Sequence, residues 1–152
     1  VGAIKYADLS QNRQSPIIFE WDKILSFEGN TAPYLQYSYA RVQSILDKAK
    51  NLGKEATEDV VLVLQDKYER SLANYMTIFP SSVLKAAETC KPNLIADYLY
   101  DLSKKLNSFY NNCPILNQEE EILKSRAYLA KQAGEVIKQG LNLLGIQTLD
   151  RM

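Results

Sequence analysis

Pro33-Tyr34-Leu35-Gln36-Tyr37-Ser38-Tyr39-Ala40-Arg41-Val42-Gln43-Ser44-Ile45-Leu46-Asp47-Lys48-Ala49-Lys50-Asn51-Leu52 sets Leu35, Tyr39, Val42, Leu46 and Ala49 three or four residues apart. That spacing puts them on one face of an α-helix, whereas a half-buried strand would alternate every second residue. The stretch reads as an amphipathic helix. Pro33 suits its first position, where a missing N–H costs nothing, and Gly53 supplies a terminator.

The same period extends in both directions. Upstream, Val1 to Gln14 reads as a helix with Ile4, Ala7 and Leu9 on its stripe, stopped by Ser15-Pro16. Pro16 to Phe19 reads as an extended link, Glu20 to Phe27 as a short helix, and Gly29-Asn30-Thr31 as a turn. Downstream, Val60 to Leu64 reads as an extended approach to Asp66, which is placed to cap a helix reaching Met76. Phe79-Pro80-Ser81 breaks the pattern, Ser82 to Thr89 resumes it, and Lys91-Pro92-Asn93 breaks it again with Asn93 as the next cap. Leu94 to Asn111 sets Ile95, Leu99, Leu102, Leu106 and Phe109 on one face. A last helix runs from Gln118 to Leu144, with acidic Glu119-Glu120-Glu121 in its first turn and Gly145 as its cap. The expected fold is all-α, a helical bundle.

Composition narrows the function classes. A chain of 152 residues buries roughly 70% of its unfolded surface, enough for one self-sufficient core. The longest apolar run, Val60 to Leu64, is far too short to cross a bilayer. The chain opens at Val1 with neither an initiator Met nor a basic-then-apolar leader, so we expect a domain cut from a longer protein. Eighteen Lys and Arg balance eighteen Asp and Glu, so any RNA contact must use a local patch. Cys90 and Cys113 form no Cys-x-x-Cys pair and have no histidine to help hold zinc, which suits reduced thiols in the cytosol.

On the Pro33 helix, Tyr34, Tyr37, Arg41, Ser44 and Lys48 fall opposite the apolar stripe. Rings and cations on one strip can take unstacked bases of single-stranded RNA, which lie on aromatic or guanidinium planes while cations hold phosphates. The alternative is that the tyrosines pack against a neighbouring helix with their hydroxyls reaching water. Asn30 and Gln36 could hydrogen-bond base edges, or serve a turn and simple exposure. The absence of histidine excludes His-based triads, zincin motifs and Glu-x-x-His di-iron ligands. No Gly-rich phosphate loop occurs, and the Glu119 to Glu121 cluster reads more simply as an acidic first turn than as an acid/base pair. No catalytic or metal-ligating residue is assigned.

Two segments carry a resemblance: Glu28-Gly29-Asn30-Thr31-Ala32-Pro33-Tyr34-Leu35-Gln36-Tyr37-Ser38-Tyr39-Ala40-Arg41 and the ending Gly140-Leu141-Asn142-Leu143-Leu144-Gly145-Ile146-Gln147-Thr148-Leu149-Asp150-Arg151-Met152. With Ile4 to Ser10, Phe27-Glu28-Gly29 and Asp97 through Tyr110 in the same order, the chain resembles the C-terminal, DALR-type anticodon-binding region of class I arginyl-tRNA synthetases. The resemblance implies residues 1–28 as connecting helices from the catalytic region and 29–152 as the helical anticodon-binding body. It implies arginine tRNA and the upstream catalytic domain as partners, a cytoplasmic setting, and neither membrane nor DNA. Anticodon contacts are implied at Tyr34, Tyr37 and Arg41, with Asn30, Gln36, Lys48, Tyr110 and the terminal Met152 as further tRNA-binding candidates. Tyr39 stands where many relatives have histidine, and its place on the apolar stripe favours packing. Leu149 stands where the family usually has proline, which leaves the tail less stiff.

The parent would be an arginine-tRNA ligase that uses ATP with Mg in its catalytic domain. This chain has neither the His-Ile-Gly-His nor the Lys-Met-Ser-Lys type of signature, so it is expected to need no cofactor and to be inactive alone. Two other readings remain open at this point: a helical protein-interaction module, and the anticodon domain of another class I synthetase.

Overall fold

The computed structural model describes residues 1–12, 20–55 and 57–151. Among them lie seven helices and no strand: α1 Gly2–Leu9, α2 Trp21–Ile24, α3 Ala32–Asn51, α4 Lys67–Met76, α5 Phe79–Thr89, α6 Asn93–Asn112 and α7 Glu120–Leu143. The centre of the molecule is formed by α3, α6 and α7, which pack on one another. Helices α4 and α5 lie against α6, α4 also meets α7, and α1 crosses α3 and α6.

The helix ends follow local chemistry. Thr31, rather than Pro33, opens α3, its Oγ1 accepting the Tyr34 N–H at 3.3 Å, and Pro33 falls inside the first turn. Gly53 takes a positive φ of 69° and Lys54 N–H bonds Ala49 C=O at 3.0 Å, closing α3. Asp66 and Glu69 cap α4 reciprocally: Asp66 Oδ1 accepts from Tyr68 N–H at 2.8 Å and Glu69 Oε2 from Asp66 N–H at 2.7 Å. Gly145, at φ 68°, ends α7 and turns Ile146 into the core, where it is 2% exposed. That turn sends the last residues back toward α3.

Several expectations need correction. Pro80 starts rather than breaks a helix, because α5 begins at Phe79 and a first-turn proline forfeits no hydrogen bond. Asn93 lies inside α6, whose N-cap is Pro92, with no side-chain cap bond. Helix α1 stops at Leu9, short of Gln14, and α2 stops at Ile24, short of Phe27. The expected stop at Ser15-Pro16 and the link from Pro16 to Phe19 lie outside the described residues. On α1 the buried residue is Tyr6, 1% exposed, while Ile4 remains half exposed. On α3 the stripe includes Ile45, with Leu46 only partly buried.

Leu35, Tyr39, Val42 and Ala49 of α3 are buried, as are Ile95, Leu99, Leu102, Leu106 and Phe109 of α6. Gly140 lets α7 approach α6 closely: a Cβ there would lie 2.5 Å from Leu99 Cδ2. A buried ion pair joins α4 to α7, with Arg126 Nε 2.6 Å from Glu69 Oε1. No helix among the described residues is long and apolar enough to cross a membrane.

Candidate nucleic-acid interface

Helix α3 carries the candidate strip from Tyr34 to Lys48, and three other segments hold it. The Thr31 hydroxyl that caps α3 also donates to Ser26 C=O at 2.6 Å, fixing the loop that carries Phe27. Phe27 meets Tyr37 edge to face, centroids 6.3 Å apart and planes at 83°. Tyr37 is 45% exposed and Phe27 56%, so this pair offers aromatic surface to solvent.

Tyr34, by contrast, is anchored. Its hydroxyl accepts from Asn107 Nδ2 at 2.8 Å and its ring lies edge-on to Tyr100 at 5.7 Å. The other end of the Asn107 amide accepts from Arg41 Nη1 at 3.5 Å. Arg41 in turn lies over Tyr110, its Cζ 3.9 Å from the ring centroid. One α6 amide thus sets the heights of Tyr34 and Arg41 together, and Tyr110 holds the guanidinium over its ring by cation–π attraction. A guanidinium held over a tyrosine ring keeps further N–H donors for a ligand.

The tail closes the other side. Gln36 Nε2 donates to Gln147 C=O at 2.7 Å, tying residues after Gly145 to α3. Asp150 and Arg151 then line a cleft of about 450 Å³ with Tyr37, Arg41, Ser44 and Lys48. Asp47 also lines it, so three cations face two carboxylates. An excess of one positive charge in a concave site suits an anionic ligand better than the neutral chain as a whole does. Tyr110 and Lys48 border a second hollow of about 370 Å³ on the same side.

Asn30 stands apart from this group. Its Oδ1 accepts the Tyr6 hydroxyl at 2.6 Å and its Nδ2 reaches Asp97 Oδ1 at 3.5 Å, so it knits α1 to α6. Ala96 C=O, 3.1 Å from the Tyr6 hydroxyl, shares that single proton, and burial, with Asp97 adding to it, pushes the phenol pKa well above the ordinary tyrosine range. Asn30 lines a separate cleft of about 620 Å³ between α1 and α2. Met152 lies outside the described residues. Tyr39 is buried at 3% exposure, in line with the apolar stripe.

Sequence reasoning assigned no contact to Phe27, Tyr100, Asn107 or Arg151, although Phe27 and Arg151 lie in segments that carry the resemblance. A signal existed on α6: Tyr100, Lys104, Asn107 and Asn111 recur at three- and four-residue steps beside the apolar stripe. Among the described residues no group of three His, Cys, Asp or Glu could hold a metal.

Comparison with known proteins identifies the family and the fold. Residues 35–152 match the family model described as the DALR anticodon binding domain. Over its full length the chain is 67% identical to the arginine-tRNA ligase of Fusobacterium nucleatum and 47% identical to that of a Cyanothece species. It spans about a quarter of those relatives, 27% and 26% of their lengths. Among solved structures it is similar to Thermus thermophilus arginyl-tRNA synthetase, with a TM-score of 0.89 and 34% identity over 99% of this chain and 26% of that one. Plasmodium falciparum arginyl-tRNA synthetase is similar too, at a TM-score of 0.84 and 31% identity over the same shares. With the family model spanning most of the residues that build α3, α6, α7 and the returning tail, the chain belongs to the DALR anticodon binding domain family.

Proposed function

We propose that this chain is the anticodon-recognition part of an arginine-tRNA ligase and takes an opened anticodon loop on the face formed by α3, Tyr110 and the tail. The observation that carries this is the grouping of an exposed Tyr37–Phe27 pair with an Arg41 guanidinium held over the Tyr110 ring beside a cationic cleft. Unstacked bases lie on the exposed rings, Arg41 offers its remaining donors to a base edge or phosphate, and Lys48 and Arg151 attract the backbone. The central cytosine of arginine anticodons is the base whose identity is read, with the terminal Met152 as a candidate apolar contact. Tyr34 and Gln36 act by holding α6 and the tail in place, and Asn30 by holding α1.

The wider assignment follows the relatives. Charging with arginine takes place in a catalytic domain outside this chain, in the cytoplasm, with ATP and Mg bound there. Residues 1–28 form the connection to it. Discrimination at the anticodon accelerates charging only where the contact is stronger in the transition state than in the ground state.

The test is Tyr37→Ala with arginine tRNA. Losing one stacked base is expected to remove about 1 to 3 kcal/mol, or roughly 5- to 150-fold in affinity. The far-ultraviolet circular dichroism should stay helical, because Tyr37 is 45% exposed. Unchanged affinity in a folded variant contradicts the assignment.

A further inference from the structure

Between α4 and α6 lies a further cleft, of about 560 Å³, which none of the residues assigned above explains. Lys105 Nζ donates to Ser71 Oγ at 3.2 Å and sits 5.1 Å from the centroid of Tyr75. Among the described residues it forms no salt bridge, so an ammonium with three donors has one bonded to Ser71. Lys104 lines the same cleft, paired with Asp101 at 2.7 Å, and that hydrogen bond holds its pKa above the ordinary lysine range. Lys67 adds a third cation at the border, 5.0 Å over the Tyr68 ring.

Two contacts lead from this cleft toward α3. Tyr34 abuts Tyr100, and Lys104 Nζ lies 4.6 Å from the Tyr100 centroid, so one row of rings and cations crosses α6. The two ends differ in what they offer. Tyr37 and Phe27 expose ring surface, whereas Tyr75 is already stacked on Tyr98 at 5.0 Å and 7° with Lys105 over it, and Tyr68 and Tyr100 each carry a lysine. Rings covered in this way have little face left for a base. What the cleft presents is two ammonium groups against one carboxylate, Asp101, which pairs with Lys104 and leaves Lys105 as the uncompensated cation, the chemistry of phosphate oxygens.

We infer that the α4/α6 cleft of Lys104, Lys105 and Tyr75 holds the sugar-phosphate backbone of the same RNA whose opened loop lies on α3. This rests on the anticodon reading and extends the contact to a sequence-independent segment flanking the loop. Phosphate contacts of this kind fix register without reading bases.

The experiment compares the unaltered chain with Lys105→Gln, Lys105→Glu and Lys104→Gln/Lys105→Gln, titrating arginine tRNA and an anticodon-substituted tRNA across a salt series. Each lost phosphate contact is expected to flatten the slope of log affinity against log salt by about 0.7 to 0.9, so the double variant flattens it by about 1.4 to 1.8. The fold-loss should be equal for both tRNAs, with charge reversal at Lys105 weakening binding further than Gln. Unchanged slopes in variants that retain helical circular dichroism overturn the inference and leave the anticodon reading standing. A loss confined to the cognate tRNA also overturns it, because it makes the lysines base readers. If the unaltered chain shows no salt-dependent tRNA binding, the anticodon reading fails and this inference fails with it.

Discussion

Arg126→Met is the substitution whose cost the structure specifies most fully. Glu69 is 1% exposed, and its two oxygens have separate partners: Arg126 Nε at 2.6 Å and the Asp66 N–H at 2.7 Å. Arg126 also donates Nη1 to Pro114 C=O at 2.7 Å, so one side chain fastens α4 and the segment before α7 to α7 itself. Replacing it with Met keeps much of the volume but leaves a buried carboxylate with one donor. Breaking such a pair from one side costs about 3 to 5 kcal/mol, a large share of a typical domain stability of about 5 to 15 kcal/mol. Removing both charges tells whether the cost is the orphaned carboxylate. In Glu69→Leu/Arg126→Met the ion pair, the Glu69 half of the cap and the Pro114 bond are all lost, but no buried carboxylate is left short of its partner. A cap contributes about 1 kcal/mol, so the double variant should be more stable than Arg126→Met alone. Urea unfolding followed by circular dichroism gives the three free energies. A single-variant loss under about 1 kcal/mol, or a double variant no better than the single, would refute the reasoning.

Two further outcomes test other parts of the account. Gly140→Ala places a methyl 2.5 Å from Leu99 Cδ2, and Leu99 is fully buried, so overpacking of about 1 to 3 kcal/mol should exceed a helix-propensity gain of up to about 1 kcal/mol. A lowered melting temperature is expected, and an unchanged or raised one speaks against the close α6–α7 approach. The Cys113 thiol is pushed up to about 11, mainly by burial and then by Asp66, so at pH 8 it is almost wholly protonated and unreactive. Exposed Cys90 should therefore react with a disulfide reagent in the native protein and Cys113 only after denaturant is added. Two fast equivalents would contradict the burial.

Gly53 and Gly145 mark helix ends, and Asp66 marks a helix start, because caps are settled within one turn of chain. The α3 and α6 stripes are equally local, since their period is a property of the helix. Partner choice is not local. Asn30 reads as a turn residue, yet its amide serves Tyr6, 24 residues away, and Gln36 reads as exposed, yet it ties down Gln147, 111 residues away. Pro80 misleads for a related reason, because a proline that breaks one helix can begin another, and the sequence pattern around it looks the same. At the candidate interface, the spacing groups Tyr34, Tyr37, Arg41 and Lys48 on one strip. The division of labour among them depends on Asn107 and Tyr110, which only the packing of α6 against α3 brings within reach.

The most direct measurement is binding of this chain to arginine tRNA and to the same tRNA with the central anticodon cytosine replaced, each at two salt concentrations. The account expects binding that weakens with salt for both, and a preference for the unaltered anticodon that persists at the higher salt. Equal binding to the two tRNAs, or none to either, would contradict anticodon recognition by this face.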